Sequence, residues 1–247
     1  MHIDDFGPYP SASDPSLEVS VLIPAFDEGE NISALISEVK KVLDKNNISF
    51  EIMVVDAGSN DDTVERAKEA GAKVFVQSQP GYGGALKEGF DKTEGKYVIT
   101  MDADLSHDPM FIDEMIRIYK DADVIIASRY IPGGSADMSA FRRLLSIILN
   151  RMFCFILSLP YRDISSGFRC YNRKVLEQVN ITSRDFDVLE EILIKAHQQD
   201  FRIVEVPFHY KPRAHGKSHV KLFHFGVSFG KTLWKMWRLR RSSRHIQ

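Results

Sequence analysis

Two carboxylates, Asp102 and Asp104, stand two residues apart directly after an apolar run, 97–101. Apolar and β-branched residues dominate that run, the pattern of a strand covered on both faces. On an extended backbone, residues i and i+2 point to the same side. Two carboxylates on one side of a strand end repel unless a cation lies between them. Oxygen-only ligands with room for phosphate suit Mg2+ or Mn2+. In open α/β sheets, ligands bind beyond the carboxyl ends of the strands, which is where this pair falls. Alone, Asp-x-Asp also marks loops and helix starts, so its meaning depends on the elements around it.

Those elements alternate regularly. Residues 18–24 read as a strand, broken by Pro24-Ala25-Phe26-Asp27-Glu28-Gly29, and a helix follows with Ile32, Leu35, Ile36, Val39 and Leu43 at helical spacing. A second buried strand, 50–55, ends in Asp56-Ala57-Gly58-Ser59; Asp61 or Asp62 then caps a helix running to Ala70. Residues 73–77 form a third strand, and Gly81-Tyr82-Gly83-Gly84 leads into a helix that Gly95 stops before the central strand. This β-α-β-α-β-α-β order predicts an α/β, Rossmann-like and mostly parallel sheet with helices on both faces. Three polar segments, at Phe26, Asp56 and Asp102, then share one crevice. The glycine turn does not fit dinucleotide binding, because the third glycine of G-x-G-x-x-G would fall at Leu86. Its glycines read instead as places where the backbone comes close to a ligand or a neighbour.

Composition narrows the class. At 247 residues, 44% hydrophobic and 27% charged, the chain fits a soluble globular protein of one large domain or two small ones. Cys154 and Cys170 lack metal-ligand spacing and read as reduced thiols, which suits the cytoplasm. Residues 1–17 lack the basic start and apolar core of a signal peptide and read as a mobile arm. From Phe208 onward there is no acidic residue and there are ten basic ones, in a chain of net charge −2. The expectation is a tail that meets an anionic surface, with a solvated basic tail as the plain alternative. Residues 141–159 form an apolar helical stretch interrupted by Arg142, Arg143, Asn150 and Arg151, too short and too charged to span a bilayer. It suits a core helix and an interfacial helix equally. The acidic crevice and the lack of any DNA- or RNA-module signature exclude a nucleic-acid partner.

Five segments occur in order: Pro24-Ala25-Phe26-Asp27-Glu28, Val55-Asp56-Ala57-Gly58-Ser59, Met101-Asp102-Ala103-Asp104-Leu105-Ser106-His107, Ser128-Arg129-Tyr130 and Asp163-Ile164-Ser165-Ser166-Gly167-Phe168. The set resembles family 2 glycosyltransferases of the GT-A fold, in particular the polyprenyl (dolichyl) phosphate mannosyltransferase type. The resemblance implies a GT-A domain over 18–220, with a nucleotide-sugar half (18–128) and an acceptor half (129–220), followed by a basic amphipathic helix over 221–247. It implies an inverting, Mg2+- or Mn2+-dependent transfer of a mannose- or glucose-type hexose from a nucleoside-diphosphate sugar to a polyprenyl phosphate. The enzyme would lie peripherally on the cytoplasmic face of an anionic membrane, with a homo-oligomer or a separate anchoring subunit as a further partner. A soluble or cell-surface hydroxyl acceptor is the alternative; a noncatalytic membrane partner ranks below it.

By position, the resemblance implies that Pro24, Phe26 (where the family usually has Tyr) and Glu28 border the nucleotide. Asp56 contacts the base or ribose, and Ala57 replaces the family's usual second Asp. Asp102 and Asp104 hold the metal and the donor diphosphate. Arg129 and Arg142 meet donor or acceptor phosphate, Arg142 being taken over Arg143 because it lies four before Ser146. Arg213, Gly216 and Ser218 match an R-x-x-G-x-S loop over the diphosphate, and Lys217 or Lys221 supplies the charge of the lysine that His219 replaces. A phosphate acceptor needs no strong base, whereas a hydroxyl acceptor needs a carboxylate to take its proton. Asp163, Glu190 and Glu191 are the candidates, and Glu191 aligns best with the family's glutamate.

Overall fold

The computed structural model describes residues 17–213. In chain order its elements are β1 (Val19–Ala25), α1 (Gly29–Lys45), β2 (Phe50–Asp56), α2 (Thr63–Glu69), β3 (Lys73–Val76), α3 (Tyr82–Lys92), β4 (Tyr97–Thr100), α4 (Ile112–Ile118), β5 (Val124–Ser128), β6 (Ser135–Ala136), α5 (Ala140–Leu157), β7 (Arg169–Asn172), α6 (Arg173–Gln178), α7 (Val188–Gln198), β8 (Ile203–Pro207) and β9 (His209–Tyr210). Seven strands form one sheet in the order β3-β2-β1-β4-β7-β5-β8; β6 and β9 pair separately. Every pairing in the large sheet is parallel except those of β7, which runs antiparallel between β4 and β5. The sequence-derived halves therefore share one sheet, with β7 of the second half inserted among strands of the first.

The reversal of β7 has a positional consequence. Arg169, at its start, lies opposite Thr100 of β4 and Ile126 of β5. The preceding turn, 163–168, therefore sits at the carboxyl ends of the parallel strands, next to Asp102. The Thr100 hydroxyl donates to the Gly167 carbonyl (2.7 Å) and the Ala127 amide to the Phe168 carbonyl (3.0 Å), which pins the turn there.

Strand side chains alternate between the two faces, and each face is covered. Val19, Val21 and Ile23 of β1 pack with Ile32, Leu35, Ile36 and Val39 of α1 and with Ile112 and Met115 of α4. Leu22 faces the other way and packs with Leu86 and Phe90 of α3 in the layer that also holds Phe153 of α5 and Ile192 of α7. Each fully buried side chain of this size contributes about 1.5–3 kcal/mol. This two-sided burial explains the near-continuous apolar runs. The small β6–β9 ribbon was not expected. It ties Tyr210 down, and the Lys211 amide donates to the Ser106 carbonyl at 3.1 Å, so this part of the segment is held beside the crevice. The N-terminal arm up to residue 16, Lys217 and the rest of the expected basic loop, and the 221–247 helix lie outside the described residues.

At the opposite end of the sheet, buried Glu51 gathers the Ser20 hydroxyl (2.7 Å), the Glu94 amide (2.7 Å) and the Lys73 ammonium (2.8 Å). Burial raises its pKa, but the bonds from Lys73, Ser20 and the Glu94 amide outweigh burial and hold it below the ordinary carboxylate value. Its contribution is therefore full above the unfolded value of about 4.3 and is lost as pH falls through the lower folded value. Glu51→Ala is expected to lower unfolding free energy at pH 7 by about 3 kcal/mol, and the gap from the parent should narrow in acid. Urea unfolding at pH 7 and pH 3 checks both; a gap that widens in acid contradicts the assignment.

Candidate active site

The strand order reverses between β1 and β4, the switch point at which open α/β sheets bind ligands. The carboxyl end of β1 delivers Pro24, Phe26 and Glu28 there, β2 delivers Asp56, and β4 leads to Asp102 and Asp104. The β1 and β2 loops are stitched together. Asp56 is fully buried; it accepts from the Gly58 and Ser59 amides (2.9 and 3.0 Å) and the Ser59 hydroxyl (2.5 Å). Ser59 Oγ accepts in turn from the Asp27 amide (2.9 Å), and Asp27 accepts from the Asn60 amide (2.8 Å). Asp56, expected at the base or ribose, here spends both oxygens on the shape of its own loop. Phe26 stands half-exposed at the rim.

Asp102 and Asp104 come together differently from the strand alternation expected. β4 ends at Thr100, and a turn with Leu105 at φ 62° carries the chain through both carboxylates. Asp104 is buried. Its Oδ1 accepts from the Ser106 amide (3.0 Å) and hydroxyl (2.5 Å), while Oδ2 faces Arg213 Nε at 3.1 Å. Arg213 Nη1 also lies 2.8 Å from Glu28 Oε1. Glu28 is pushed above its ordinary value by burial, with the Asp104 and Asp102 charges adding and Asn31 and Arg213 opposing. One guanidinium thus bridges two carboxylates in a crevice that holds a third.

Asp102 is oriented by its neighbours. Its amide donates to His107 Nδ1 (2.9 Å), which leaves the proton of a neutral ring on Nε2, 3.6 Å from Asp102 Oδ2. His107 is buried and stacks on Phe168 with centroids 5.0 Å apart. Burial pushes its pKa down despite the Asp102 and Asp104 charges. The Tyr82 hydroxyl also bonds Asp102, and the Tyr82 ring stacks on Phe186 at 4.8 Å. His107 and Ser106 were visible within the Asp102 motif but carried no assigned role. Tyr82 lay in the glycine turn, and no sequence signal marked Phe186.

The cluster fits a hard divalent ion. Its donors are carboxylate oxygens, and a cationic guanidinium already lies between two of them. Among the described residues no group of three or more His, Cys, Asp or Glu is arranged to hold a metal. A bound ion would therefore draw further oxygens from substrate phosphates, as Mg2+ commonly does.

The remaining expected residues fall into three arrangements. Arg129 is held bidentately by buried Asp163 (2.7 and 2.7 Å), and its amide donates to the same carboxylate (2.9 Å). Burial opposes ionisation of Asp163, but Arg129 keeps it below its ordinary value. Arg142 is exposed in the first turn of α5; its neighbour Arg143 lines a cavity with Arg129. Glu191 is fully buried and accepts from the Thr182 and Ser183 amides (3.0 and 2.6 Å), the Thr182 hydroxyl (2.5 Å) and Lys195 (2.7 Å). Burial works against it, yet these bonds hold it at about 2. The residue expected as a base thus has both oxygens engaged by donors of its own loop and by Lys195. It anchors the loop 182–185, which lies on the glycine turn. A Cβ on Gly83 would come 2.7 Å from the Arg184 carbonyl carbon, and Gly81 adopts φ +92°. The close approach foreseen for those glycines is to this neighbour. Glu190 differs: one of its oxygens is buried without a hydrogen-bond partner, and burial pushes its carboxyl up to about 7.

Known proteins resemble this chain in sequence and in fold. The chain is 36% identical over 236 residues to a dolichol-phosphate mannosyltransferase of Pyrococcus furiosus, covering 90% of this chain and 62% of that protein. It is 30% identical over 251 residues to a polyprenol monophosphomannose synthase of Mycolicibacterium smegmatis, covering 95% and 92%. The chain thus spans under two thirds of the Pyrococcus protein and nearly all of the mycobacterial one. Its fold matches glucosyl-3-phosphoglycerate synthase of Mycobacterium tuberculosis, crystallised with Mg2+ and uridine diphosphate, with a TM-score of 0.71 at 21% identity over 90% of this chain and 80% of that one. The family model described as glycosyl transferase family 2 matches residues 20–179. With its mostly parallel GT-A-like sheet and its carboxylates at the switch point, the chain belongs to glycosyl transferase family 2.

Proposed function

We propose that the protein transfers a mannose- or glucose-type hexose, with inversion, from a nucleoside-diphosphate sugar to a polyprenyl (dolichyl) phosphate at a membrane surface. The observation that carries this reading is the cluster of Glu28, Asp102 and Asp104 around the Arg213 guanidinium at the switch point. The names of the Pyrococcus and mycobacterial relatives support the acceptor class.

In the reaction, an acceptor phosphate oxygen forms a bond to the anomeric carbon from the face opposite the diphosphate. The glycosidic C–O bond breaks, and its electron pair leaves on the diphosphate. Asp102 and Asp104 would hold Mg2+ or Mn2+, which when bound supplies positive charge to the departing diphosphate. His107 and Tyr82 keep Asp102 in one orientation, and Ser106 does the same for Asp104. Arg213 exchanges carboxylate partners for diphosphate oxygens, for which a guanidinium is well matched. Pro24, Phe26, Glu28 and the Asp56 loop border the nucleotide, and Lys217 adds charge from the following segment. Arg129, steadied by Asp163, and Arg142 face the acceptor phosphate.

The carboxylates support an acceptor that arrives already ionised. Asp163 is committed to Arg129 and Glu191 to its loop. A hydroxyl acceptor is the second reading, favoured by one observation: Glu190, with an unpartnered oxygen and a value near 7, could take a proton. Membrane contact is drawn from α5, whose Phe141, Leu144, Ile148, Met152 and Phe155 are exposed. Among the described residues no helix is long and apolar enough to cross a membrane, so the contact proposed is peripheral, on the cytoplasmic face and aided by the basic tail.

Asp104→Asn is expected to lower kcat by about 100-fold or more at saturating Mn2+, with the thermal unfolding midpoint nearly unchanged. Near-parental turnover would remove Asp104 from the donor site. Glu190→Gln separates the two acceptor classes. Transfer to a polyprenyl phosphate should stay within about twofold of the parent, since no proton is taken. A drop of tenfold or more with a flattened acid limb in the pH profile would instead favour the hydroxyl reading.

A further inference from the structure

At the β2 end of the crevice, the loop expected to meet the base has no polar side chain to spare within 56–59. Asp56 accepts from the Gly58 and Ser59 amides and the Ser59 hydroxyl, and Ser59 Oγ accepts from the Asp27 amide. Ala57 offers only a methyl group. Gln77, the residue after β3, stands beside this loop, because its amide donates to the Asp56 carbonyl at 2.9 Å. Its side-chain Oε1 is buried and has no hydrogen-bond partner among the described residues. A buried amide oxygen left unpaired is costly, and it calls for a donor from outside the fold.

The segment that carries Gln77 is held in place. Glu88 of α3 accepts from the Ser78 amide (2.9 and 3.0 Å), the Ser78 hydroxyl (2.8 Å) and the Gln79 amide (2.6 Å), so the chain directly after Gln77 is fixed. Along the carboxyl end of the sheet the strands run β3-β2-β1-β4. At about 4.8 Å per step, β3 lies about 14 Å from β4. A nucleoside diphosphate held by its phosphates at Asp102 and Asp104, with ribose and base laid along the strand ends, spans that distance.

We propose that the Gln77 carboxamide reads the base edge of the sugar nucleotide, and that the base carries a ring N–H beside a carbonyl, as uracil and guanine do. The proposal rests on the transferase reading and adds to it the residue that selects the donor. The ring N–H donates to Oε1, and the carboxamide Nε2–H donates to the neighbouring base carbonyl. Side-chain amides recognise bases by paired contacts of this kind. In adenine and cytosine the corresponding ring nitrogen is an acceptor, so acceptor would face acceptor at Oε1.

The test is calorimetric titration of the full chain in Mn2+ with UDP, GDP, ADP and CDP, and with N3-methyl-UDP and N1-methyl-GDP, in which a methyl group replaces the ring N–H. For the parent, the better of UDP and GDP is expected to bind at least about tenfold more tightly than ADP, CDP and its own methylated form. Gln77→Met, similar in shape and without the amide, should bring these ratios to within about threefold. Unchanged ratios in Gln77→Met would overturn the assignment, since a purely structural role changes the unfolding midpoint and not the choice of base. Full-strength binding of the methylated nucleotide to the parent would overturn the ring N–H contact, whatever the stability of the variant. A parent that prefers ADP or CDP would overturn the base class. Failure of every nucleotide to bind the parent would count against the transferase reading and this one with it, whereas nucleotide binding indifferent to Gln77 would count against this residue alone.

Discussion

Like charges gathered at the carboxyl end of the sheet set the terms for the rest of the structure. Glu28 and Asp104 are buried beside Asp102, where β1 and β4 diverge. Burying carboxylates without a counter-charge is costly. Here the counter-charge is Arg213, which joins Glu28 to Asp104, while Glu28 responds with a raised pKa. Under the proposed function, Arg213 would exchange these carboxylates for diphosphate oxygens when a metal is bound.

The surroundings keep that arrangement in register. β7 is inserted antiparallel, so the 163–168 turn reaches the same end of the sheet and places Phe168 against His107. His107 and Tyr82 hold Asp102 from two sides. Tyr82 is held in turn by Phe186, which follows the loop that Glu191 anchors and Gly83 admits. A fixed carboxylate orientation lowers the reorganisation needed when charge develops on a leaving group. The buried residues around the crevice thus serve the geometry of two side chains.

Much of this was legible in the sequence, for physical reasons. Strands covered on both faces must be apolar throughout, so β1, β2, β4 and β5 stood out, and the polar residues ending them marked the crevice. The direction of β7 was not legible, because the four residues Arg169–Asn172 carry no signal of orientation. The two-residue strands β6 and β9 are too short to show a period. Glu191 looked like a base because residue type says nothing of what its oxygens already accept. The spacing to Ser146 selects Arg142 over Arg143; spacing alone does not show that Arg142 is exposed while Arg143 lines a cavity with Arg129.

The central claim is that Asp102 and Asp104 bind a divalent cation together with the diphosphate of a sugar nucleotide. Calorimetric titration of the full chain with GDP and with UDP, in Mn2+ and in EDTA, tests it most directly. The account predicts that one of these nucleotides binds at least about tenfold more tightly with Mn2+, because the ion is shared between carboxylate and phosphate oxygens, and that Asp102→Asn removes this gain. Nucleotide binding of equal strength in Mn2+ and EDTA would contradict it.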